Sequence, residues 1–380
     1  MLDVLCNTGT YQEHFDWGAM MANTVVSLFT GAGGLDVGFN QAGFATLWAN
    51  DFNSDACATF ERNHGAGIIR CGDIQEFLPA LTHLQSPDVL IGGPPCQGFS
   101  VAGYMDMNDP RSELVFTYME ALRRLKPRAF VLENVKSLAT LAKFRPIRER
   151  LLREAREAGY DVDLFVVRAS DFGVPQARER MLIVGFENAC ARDFFAHLET
   201  QREAAPILRN AIAHLGRSGS ATNPRICNAK VTIASRPILR ASPYAGMLFN
   251  GQGRPLNLDG YASTLPATMG GNRTPIIDEE QLYGNEPAWV VNYHSSLLKG
   301  DAPFASRLAP KRLRRLTIDE AAAIQTFPPN YDFVGRTSSI FAQIGNAVPC
   351  ELGRRIATSV QAVLQGYRSN QVDGDSRMVA

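Results

Sequence analysis

The 380-residue chain has no surplus of either charge: 38 Lys and Arg stand against 38 Asp and Glu. Overall charge therefore gives no argument for a polyanionic partner. Its seven cysteines, Cys6, Cys57, Cys71, Cys96, Cys190, Cys227 and Cys350, include no Cys-x-x-Cys pair and no regular spacing. That pattern suits free thiols in a reducing cytoplasm and argues against structural zinc, so no metal site is expected. No apolar run approaches the ~20 residues that span a bilayer, and no basic segment leads into a long apolar one near the N-terminus, which disfavours insertion and secretion. Internal repeats and low-complexity tracts are also missing. Residues 1–23 form a polar, patternless N-terminal extension with Met20 or Met21 as an alternative start, and no function is assigned to them.

What is present, 45% hydrophobic and 20% charged residues, suffices for one large and one smaller globular domain. From Thr24 to Phe186, short apolar runs alternate with helical patterns. The runs are Val25 to Phe29, Ala45 to Ala49, Asp88 to Ile91, Ala129 to Leu132, Leu164 to Val167 and Met181 to Phe186; the helical segments include Ser112 to Leu125 and Pro146 to Ala158. This alternation predicts an α/β domain over 24–186 with a mostly parallel sheet, whose ligands belong at the carboxyl ends of the strands. From 187 to 310 the alternation fails and Gly, Pro, Asn and Ser become frequent, which predicts a smaller, loop-rich domain. Residues 311–341 form a hinge, and 342–380, with a helical stretch from Pro349 to Leu364, return to the first domain. Between Glu187 and Leu316 there are 16 Lys and Arg against 10 Asp and Glu, an excess of +6 that leaves −6 elsewhere. A basic segment on an otherwise acidic chain is a mild nucleic-acid signal; a solvated charged face is the alternative.

The first apolar run enters Phe29-Thr-Gly31-Ala-Gly33-Gly34-Leu-Asp36, a strand-to-helix turn where backbone can approach a ligand closely. Asp36 occupies the place of the third glycine in the dinucleotide fingerprint, so a nicotinamide or flavin nucleotide is not indicated. The next run ends in Asn50-Asp51-Phe52, where the carboxylate could accept from ribose hydroxyls and the ring could cover an adenine. At the third strand end, Gly72-Asp73-Ile74 offers a carboxylate to the adenine amine and a side chain to its other face. Each acid alone is equally readable as a helix cap. In register at successive strand ends, they point to a nucleoside-type cofactor.

The fourth strand ends in Gly92-Gly93-Pro94-Pro95-Cys96-Gln97-Gly98-Phe99-Ser100. Paired prolines stiffen the backbone before the cysteine and glycines permit a sharp bend, a place for an exposed thiol rather than a core one. The fifth ends in Leu132-Glu133-Asn134-Val135, and Gln176-Ala-Arg178-Glu-Arg180 opens a later strand with two arginines at spacing two, on one side of it. A thiolate can add to carbon 6 of a pyrimidine if an acid holds ring nitrogen 3 and a cation holds oxygen 2. Carbon 5 then becomes electron-rich and can attack a sulfonium methyl, and loss of the carbon 5 proton expels the thiol.

These blocks, followed by Arg314-Arg315-Leu316-Thr317 to Glu320 and by Gly345-Asn346-Ala347-Val348, resemble in kind and order the cytosine-5 DNA methyltransferases of bacterial modification systems, from Val25 to about Leu364. The resemblance implies a Rossmann-like S-adenosylmethionine-dependent catalytic domain and a target-recognition domain over 187–310. It implies Cys96 as nucleophile, Glu133 on nitrogen 3 and the amino edge of cytosine, Arg180 near oxygen 2, and Arg178 supporting them. S-adenosyl-L-methionine would be held by Phe29, Gly31, Gly33, Gly34, Asp51, Phe52, Asp73, Ile74 and Pro95, with Leu114 and Asn346, Ala347 and Val348 closing the pocket. The loop from Gln97 to about Arg111 would close over a cytosine flipped out of duplex DNA. Ser100, Gln252, Arg254 and Thr264 are expected on the DNA, with Gln252 filling the vacancy and Arg254 reading a base edge. A cognate restriction endonuclease acting separately is the implied partner.

Two other classes compete with this reading. A zinc deaminase would need a second cysteine three residues after Cys96, where Phe99 stands, and a His-x-Glu segment before it, and neither is present. A silent nucleic-acid-binding protein of the same fold has no need of Cys96, Glu133, Arg180 and the glycine turn together. A relative acting on RNA would keep the same catalytic set, so the motifs leave that substrate open; the long variable region favours a duplex reader.

Overall fold

The computed structural model describes residues 22–95 and 113–377, with side chains described up to residue 366. Residues 1–21, and the segment 96–112 that carries Cys96, Ser100 and the expected closing loop, lie outside the described residues.

The first half alternates as its apolar runs predict: β1 (Thr24–Leu28), α1 (Gly34–Gln41), β2 (Ala45–Asp51), α2 (Ser54–His64), β3 (Ile69–Cys71), α3 (Ile74–Leu81) and β4 (Val89–Gly92). After the undescribed segment come α4 (Leu114–Leu125), β5 (Ala129–Val135), α5 (Lys136–Thr140), α6 (Arg145–Glu157), β6 (Asp161–Arg168), β7 (Gln176–Ala177) and β8 (Glu179–Phe186). Seven strands form one sheet in the order β3-β2-β1-β4-β5-β8-β6. The first five run parallel, while β8 is antiparallel to both β5 and β6. The connections explain the exception. Helices α5 and α6 carry the chain from β5 across to a parallel β6, leaving one place vacant. The return from β6 has no crossover helix, so β8 enters that place in the opposite direction.

Strands buried on both faces alternate their side chains between two cores. Val25, Val89, Ile91 and Val131 pack with Leu35 and Phe39 of α1 on one face. Val26, Leu28, Leu90, Phe130 and Leu132 meet Tyr118 and Leu122 of α4 and Leu151 of α6 on the other. The first core is completed by α7 (Ala191–Thr200), through Phe194 and Leu198, and by the C-terminal helix, through Leu352, Ile356 and Val360.

Beyond α7 the elements shorten: α8 (Leu208–Ile212), β9 (Ile233–Ile238), β10 (Met247–Phe249), β11 (Ala262–Ser263), β12 (Ile276–Asp278), α9 (Glu279–Tyr283), α10 (Trp289–Leu298) and β13 (Leu313–Arg315). They pair as three two-stranded ribbons, one of which joins β11 to β7. Then follow α11 (Ile318–Ile324), α12 (Thr337–Asn346) and α13 (Cys350–Arg377). Thr317 and Glu320 form a reciprocal capping box at the start of α11. Among the described residues no helix is long and apolar enough to cross a membrane, and no group of three or more His, Cys, Asp or Glu could hold a metal ion.

Candidate active site

At the end of β1 the chain turns sharply, with Phe29, Gly31 and Gly33 all at positive φ (54°, 57° and 82°). A phenylalanine in this region is uncommon and is held by its neighbours. Thr30 N–H donates to the Asn50 carbonyl at 3.1 Å, and Gly31 N–H donates to Asp51 Oδ2 at 2.8 Å. The other oxygen of Asp51 accepts from Asn53 N–H at 2.8 Å. Burial pushes the Asp51 carboxyl up from its usual range, against the pull of these amides. Asp51 thus fastens the turn to β2, and each carboxylate oxygen still has a lone pair to offer. Beside it Phe52 is 79% exposed, an uncovered aromatic face at the strand end.

Asp73 is the N-cap of α3, accepting from Gln75 N–H at 3.0 Å through one oxygen only. Ile74, expected to pack on the adenine, is 2% exposed and packs with Trp48 and Leu81. The following helix draws it inward, as the first residue of α3 on that helix's buried face.

The C-terminal segment meets the turn directly. A Cβ on Gly34 would stand 2.4 Å from the Val348 carbonyl oxygen, so only glycine lets residues 347–348 seat there. Val348 is buried, Ala347 half-buried and Asn346 exposed. Leu114, at the start of α4, and Pro95 are both half-buried.

Two further residues brace the turn. Tyr331 Oη donates to the Ala32 carbonyl and lies 3.0 Å from His64 Nε2. The other ring nitrogen of His64 is 2.9 Å from Asn40 Nδ2, and the ring stacks on Phe60 with centroids 4.2 Å apart. Burial pushes the imidazole pKa down to about 4, which keeps it neutral. The arrangement suits Nδ1 accepting from Asn40 and Nε2–H donating to Tyr331. Neither residue was singled out from the sequence, because they lie 267 positions apart and no local pattern joins them. Beneath the turn, Asp36 is fully buried, its Oδ2 accepting from the Ser27 and Thr30 hydroxyls and its Oδ1 without a hydrogen bond among the described residues. Burial raises its pKa to about 6 although the hydroxyls pull the other way.

At the next strand ends, Asn134 Nδ2 donates to the Pro94 carbonyl at 3.1 Å, tying the Pro94-Pro95 segment to β5. Glu133 Oε2 lies 3.1 Å from where a Gly93 Cβ would be. The carboxylate, 8% exposed, has Arg180 Nε 2.8 Å from its Oε1. That contact is an ion pair without hydrogen-bond alignment, so Oε1 has no hydrogen-bonding partner among the described residues. A buried acid and a cation therefore stand beside the loop that leads to Cys96, which itself lies outside the described residues.

The two arginines of the later motif do not share a strand. Strand β8 begins at Glu179, and Arg178 lies in the break after β7. Arg178, 2% exposed, donates to the carbonyls of Gly345 at 3.1 Å and Asn346 at 3.4 Å. It holds the C-terminal segment while Arg180 holds Glu133.

In the variable region, Gly253 N–H donates to the Asn272 carbonyl and Ile276 N–H to that of Arg254, which fixes the backbone of the loop. The side chains of Gln252 and Arg254 are exposed on it. Thr264 is also exposed, its hydroxyl 3.4 Å from the Ala177 carbonyl next to the arginine motif.

Residues 23–362 match the family model described as C-5 cytosine-specific DNA methylase. The chain is 32% identical over 344 residues to the Type II methyltransferase M.NgoFVII of Neisseria gonorrhoeae, covering 88% of this chain and 86% of that protein. It is 32% identical over 351 residues to the Type II methyltransferase M.FnuDI of Fusobacterium nucleatum, covering 90% and 94% respectively. The fold is also that of a DNMT2 mutant from Spodoptera frugiperda, with a TM-score of 0.63 and 18% identity over 89% of this chain and 99% of that one. The Entamoeba histolytica methyltransferase EhMeth gives the same TM-score at 15% identity, over 91% and 99%. A glycine turn closed by the C-terminal segment, with an acid and an arginine paired beside a Pro-Pro-Cys strand end, is thus found in a chain that belongs to the C-5 cytosine-specific DNA methylase family and is a DNA (cytosine-5) methyltransferase.

Proposed function

We propose that the protein transfers a methyl group from S-adenosyl-L-methionine to carbon 5 of a cytosine flipped out of a specific duplex sequence, through a covalent adduct on Cys96. It would serve as the modification enzyme of a bacterial restriction-modification system, working in the cytoplasm beside a separate cognate endonuclease. The observation that carries this reading is the Glu133–Arg180 pair, 2.8 Å apart, next to Gly93 and Pro94 at the strand end that leads to Cys96.

The residues at the other strand ends suit a nucleoside cofactor. In the turn of Phe29, Gly31, Gly33 and Gly34 the first two are only half-buried, Asp51 and Asp73 can accept from ribose and adenine, and Phe52 offers an exposed ring. Leu114, Pro95 and Asn346 to Val348 would bound the pocket, Ile74 contributing only from beneath. The cofactor supplies an electrophilic methyl group. Glu133 would hold nitrogen 3 and the amino edge of the cytosine, with Arg180 orienting Glu133 and reaching toward oxygen 2. This drains electron density from carbon 6 and lets the Cys96 sulfur form its bond there. Carbon 5, made nucleophilic, would accept the methyl group that bound S-adenosyl-L-methionine supplies, with S-adenosylhomocysteine as the leaving group; loss of the carbon 5 proton to a base and cleavage of the carbon–sulfur bond would return the thiolate. Arg178 would act at one remove, by holding Gly345 and Asn346.

We assign 24–186, the 311–341 hinge and 342–380 to the catalytic unit, and 187–310 to target recognition, with α7 lending its apolar face to the catalytic core. Gln252 would fill the vacancy, while Ser100, Arg254 and Thr264 meet the DNA. Bisulfite sequencing of plasmid from cells expressing the protein tests the reading. Conversion-resistant cytosines in one sequence context are expected. Plasmid cytosines converted throughout would defeat it, and protected RNA with unprotected plasmid would move the substrate to RNA.

A further inference from the structure

We infer that the buried amide pair Gln176–Gln325 is a joint that keeps the recognition stretch 264–271 and the cofactor-closing segment 344–348 in one register, making Gln325 a positioning residue for both substrates. The inference rests on the roles proposed above for Thr264 on the DNA and for Asn346 to Val348 at the cofactor. Both glutamines are fully buried. Gln176 Oε1 accepts the Leu265 N–H at 3.0 Å, and Gln176 Nε2 donates to Gln325 Oε1 at 2.8 Å. Gln325 Nε2 in turn donates to the carbonyls of Ile344 at 2.6 Å and Ala347 at 3.1 Å. Both N–H groups and the oxygen of the Gln325 amide are therefore engaged, with one end on residues 264–271 by way of Gln176 and the other on the closing segment.

Backbone packing joins the same two segments independently. A Cβ on Gly345 would lie 2.6 Å from the Pro266 carbonyl oxygen and 2.8 Å from Ala267 Cα. At the other end of α12, a Cβ on Gly270 would lie 2.6 Å from Ser338 Cα. Helix α12 thus runs along residues 266–270 and delivers its C-terminus to Val348, whose carbonyl sits on Gly34. Displacing residues 264–271 would strand the Leu265 amide on Gln176 and pull on the Gln325 amide that holds the Ile344 and Ala347 carbonyls, so contact with DNA is passed to the wall of the cofactor pocket.

Linkage requires that DNA and cofactor then enhance each other's binding equally. Calorimetry on the full chain with S-adenosylhomocysteine, with and without a duplex carrying the methylated site, measures that factor for wild type, Gln325→Met, Gln176→Met and the double variant. Gln325→Met should weaken S-adenosylhomocysteine about tenfold and remove the enhancement by DNA. Gln176→Met should change affinity for S-adenosylhomocysteine alone much less, yet also remove the enhancement. The double variant should lose no more coupling than either single one, because one joint has been opened twice. If a methionine variant does not fold, Gly345→Ala carries the same readout, since its methyl presses on Pro266 from the opposite side. Folded variants that retain the wild-type enhancement, or a wild type that binds both ligands without enhancement, would overturn the inference. A wild type that binds neither ligand would overturn the proposed function instead.

Discussion

Polar side chains under the glycine turn hold its fold, and their ionisation reports it. Asp36 has a pKa near 6 against an ordinary value of 3.8, so between those pH values the folded protein keeps a proton that the unfolded chain has lost. Stability from this group is present below about pH 4 and is lost as pH rises to 6, by about 3 kcal/mol at roughly 1.4 kcal/mol per unit. His64 works in the opposite sense. Its pKa of about 4 against 6.5 means that the unfolded chain takes up the proton first as pH falls, so stability is present above 6.5 and lost on descent to 4. The two largely mask each other in the wild type. Relative to wild type, Asp36→Asn should gain stability as pH rises from 4 to 6, and His64→Gln should gain it as pH falls from 6.5 to 4. Urea unfolding at several pH values measures both difference curves; flat curves would contradict the burial argument. For the chemistry itself, Cys96→Ser should abolish methyl transfer while leaving circular dichroism and duplex binding intact, because a hydroxyl is far harder to ionise than a thiol of pKa ~8.5. Transfer of labelled methyl groups at the wild-type rate would remove Cys96 from its role.

Elements were legible wherever a short apolar run had turn residues on both sides. β1, β2, β4, β5 and β8 lie where those runs lie, and α6 (Arg145–Glu157) is displaced by one residue at each end from its predicted span. The strand ends carrying Asp51, Asp73 and Glu133 followed at once, because a parallel sheet puts its ligands there. The reversal of β8 was not legible, since it depends on which place the α5–α6 crossover leaves vacant. Nor was the break at Arg178, because spacing two reads as one strand until β7 is seen to pair with β11, some 85 residues later. The Tyr331–His64 brace and the Gln176–Gln325 pair are invisible for the same reason: their partners meet only through the fold. The loop proposed to read DNA is the opposite case, with the side chains of Gln252 and Arg254 exposed on a fixed backbone. If Arg254 makes a bidentate contact to guanine, Arg254→Ala should relax preference at one base pair by about 1–3 kcal/mol and leave cofactor affinity alone. Gln252→Ala should slow base extrusion, read by 2-aminopurine at the target position, without changing the site methylated. An intact site profile in the first and an intact fluorescence change in the second would pass the reader's role to the 264–271 stretch.

Over the whole molecule, zero net charge conceals an uneven division between paired and unpaired groups. In the variable region, Asp259, Asp278, Glu279, Glu280 and Glu286 are engaged by Arg209, Arg217, Arg312 and Arg314. These pairs neutralise themselves and hold the short ribbons together. Left over between residues 230 and 311 are Lys230, Arg236, Arg240, Arg254, Arg273, Lys299, Arg307 and Lys311, all exposed and, among the described residues, in no ion pair. A neutral chain can thus present a basic face, because the acids of this stretch, Asp301 excepted, are spent internally while these eight cations are not. Each phosphate neutralised releases counterion, contributing about −0.9 to the slope of log affinity against log salt. Contact by half to all of the eight predicts a slope of roughly −4 to −7 for a duplex containing the methylated site. Fluorescence anisotropy between low and moderate salt measures it. Arg236→Ala, Arg240→Ala and Lys299→Ala together should flatten the slope by about 0.9 for each residue that meets a phosphate, while affinity for S-adenosylhomocysteine stays unchanged. A wild-type slope near −1 would mean that the basic residues face solvent alone and that the duplex is gripped elsewhere.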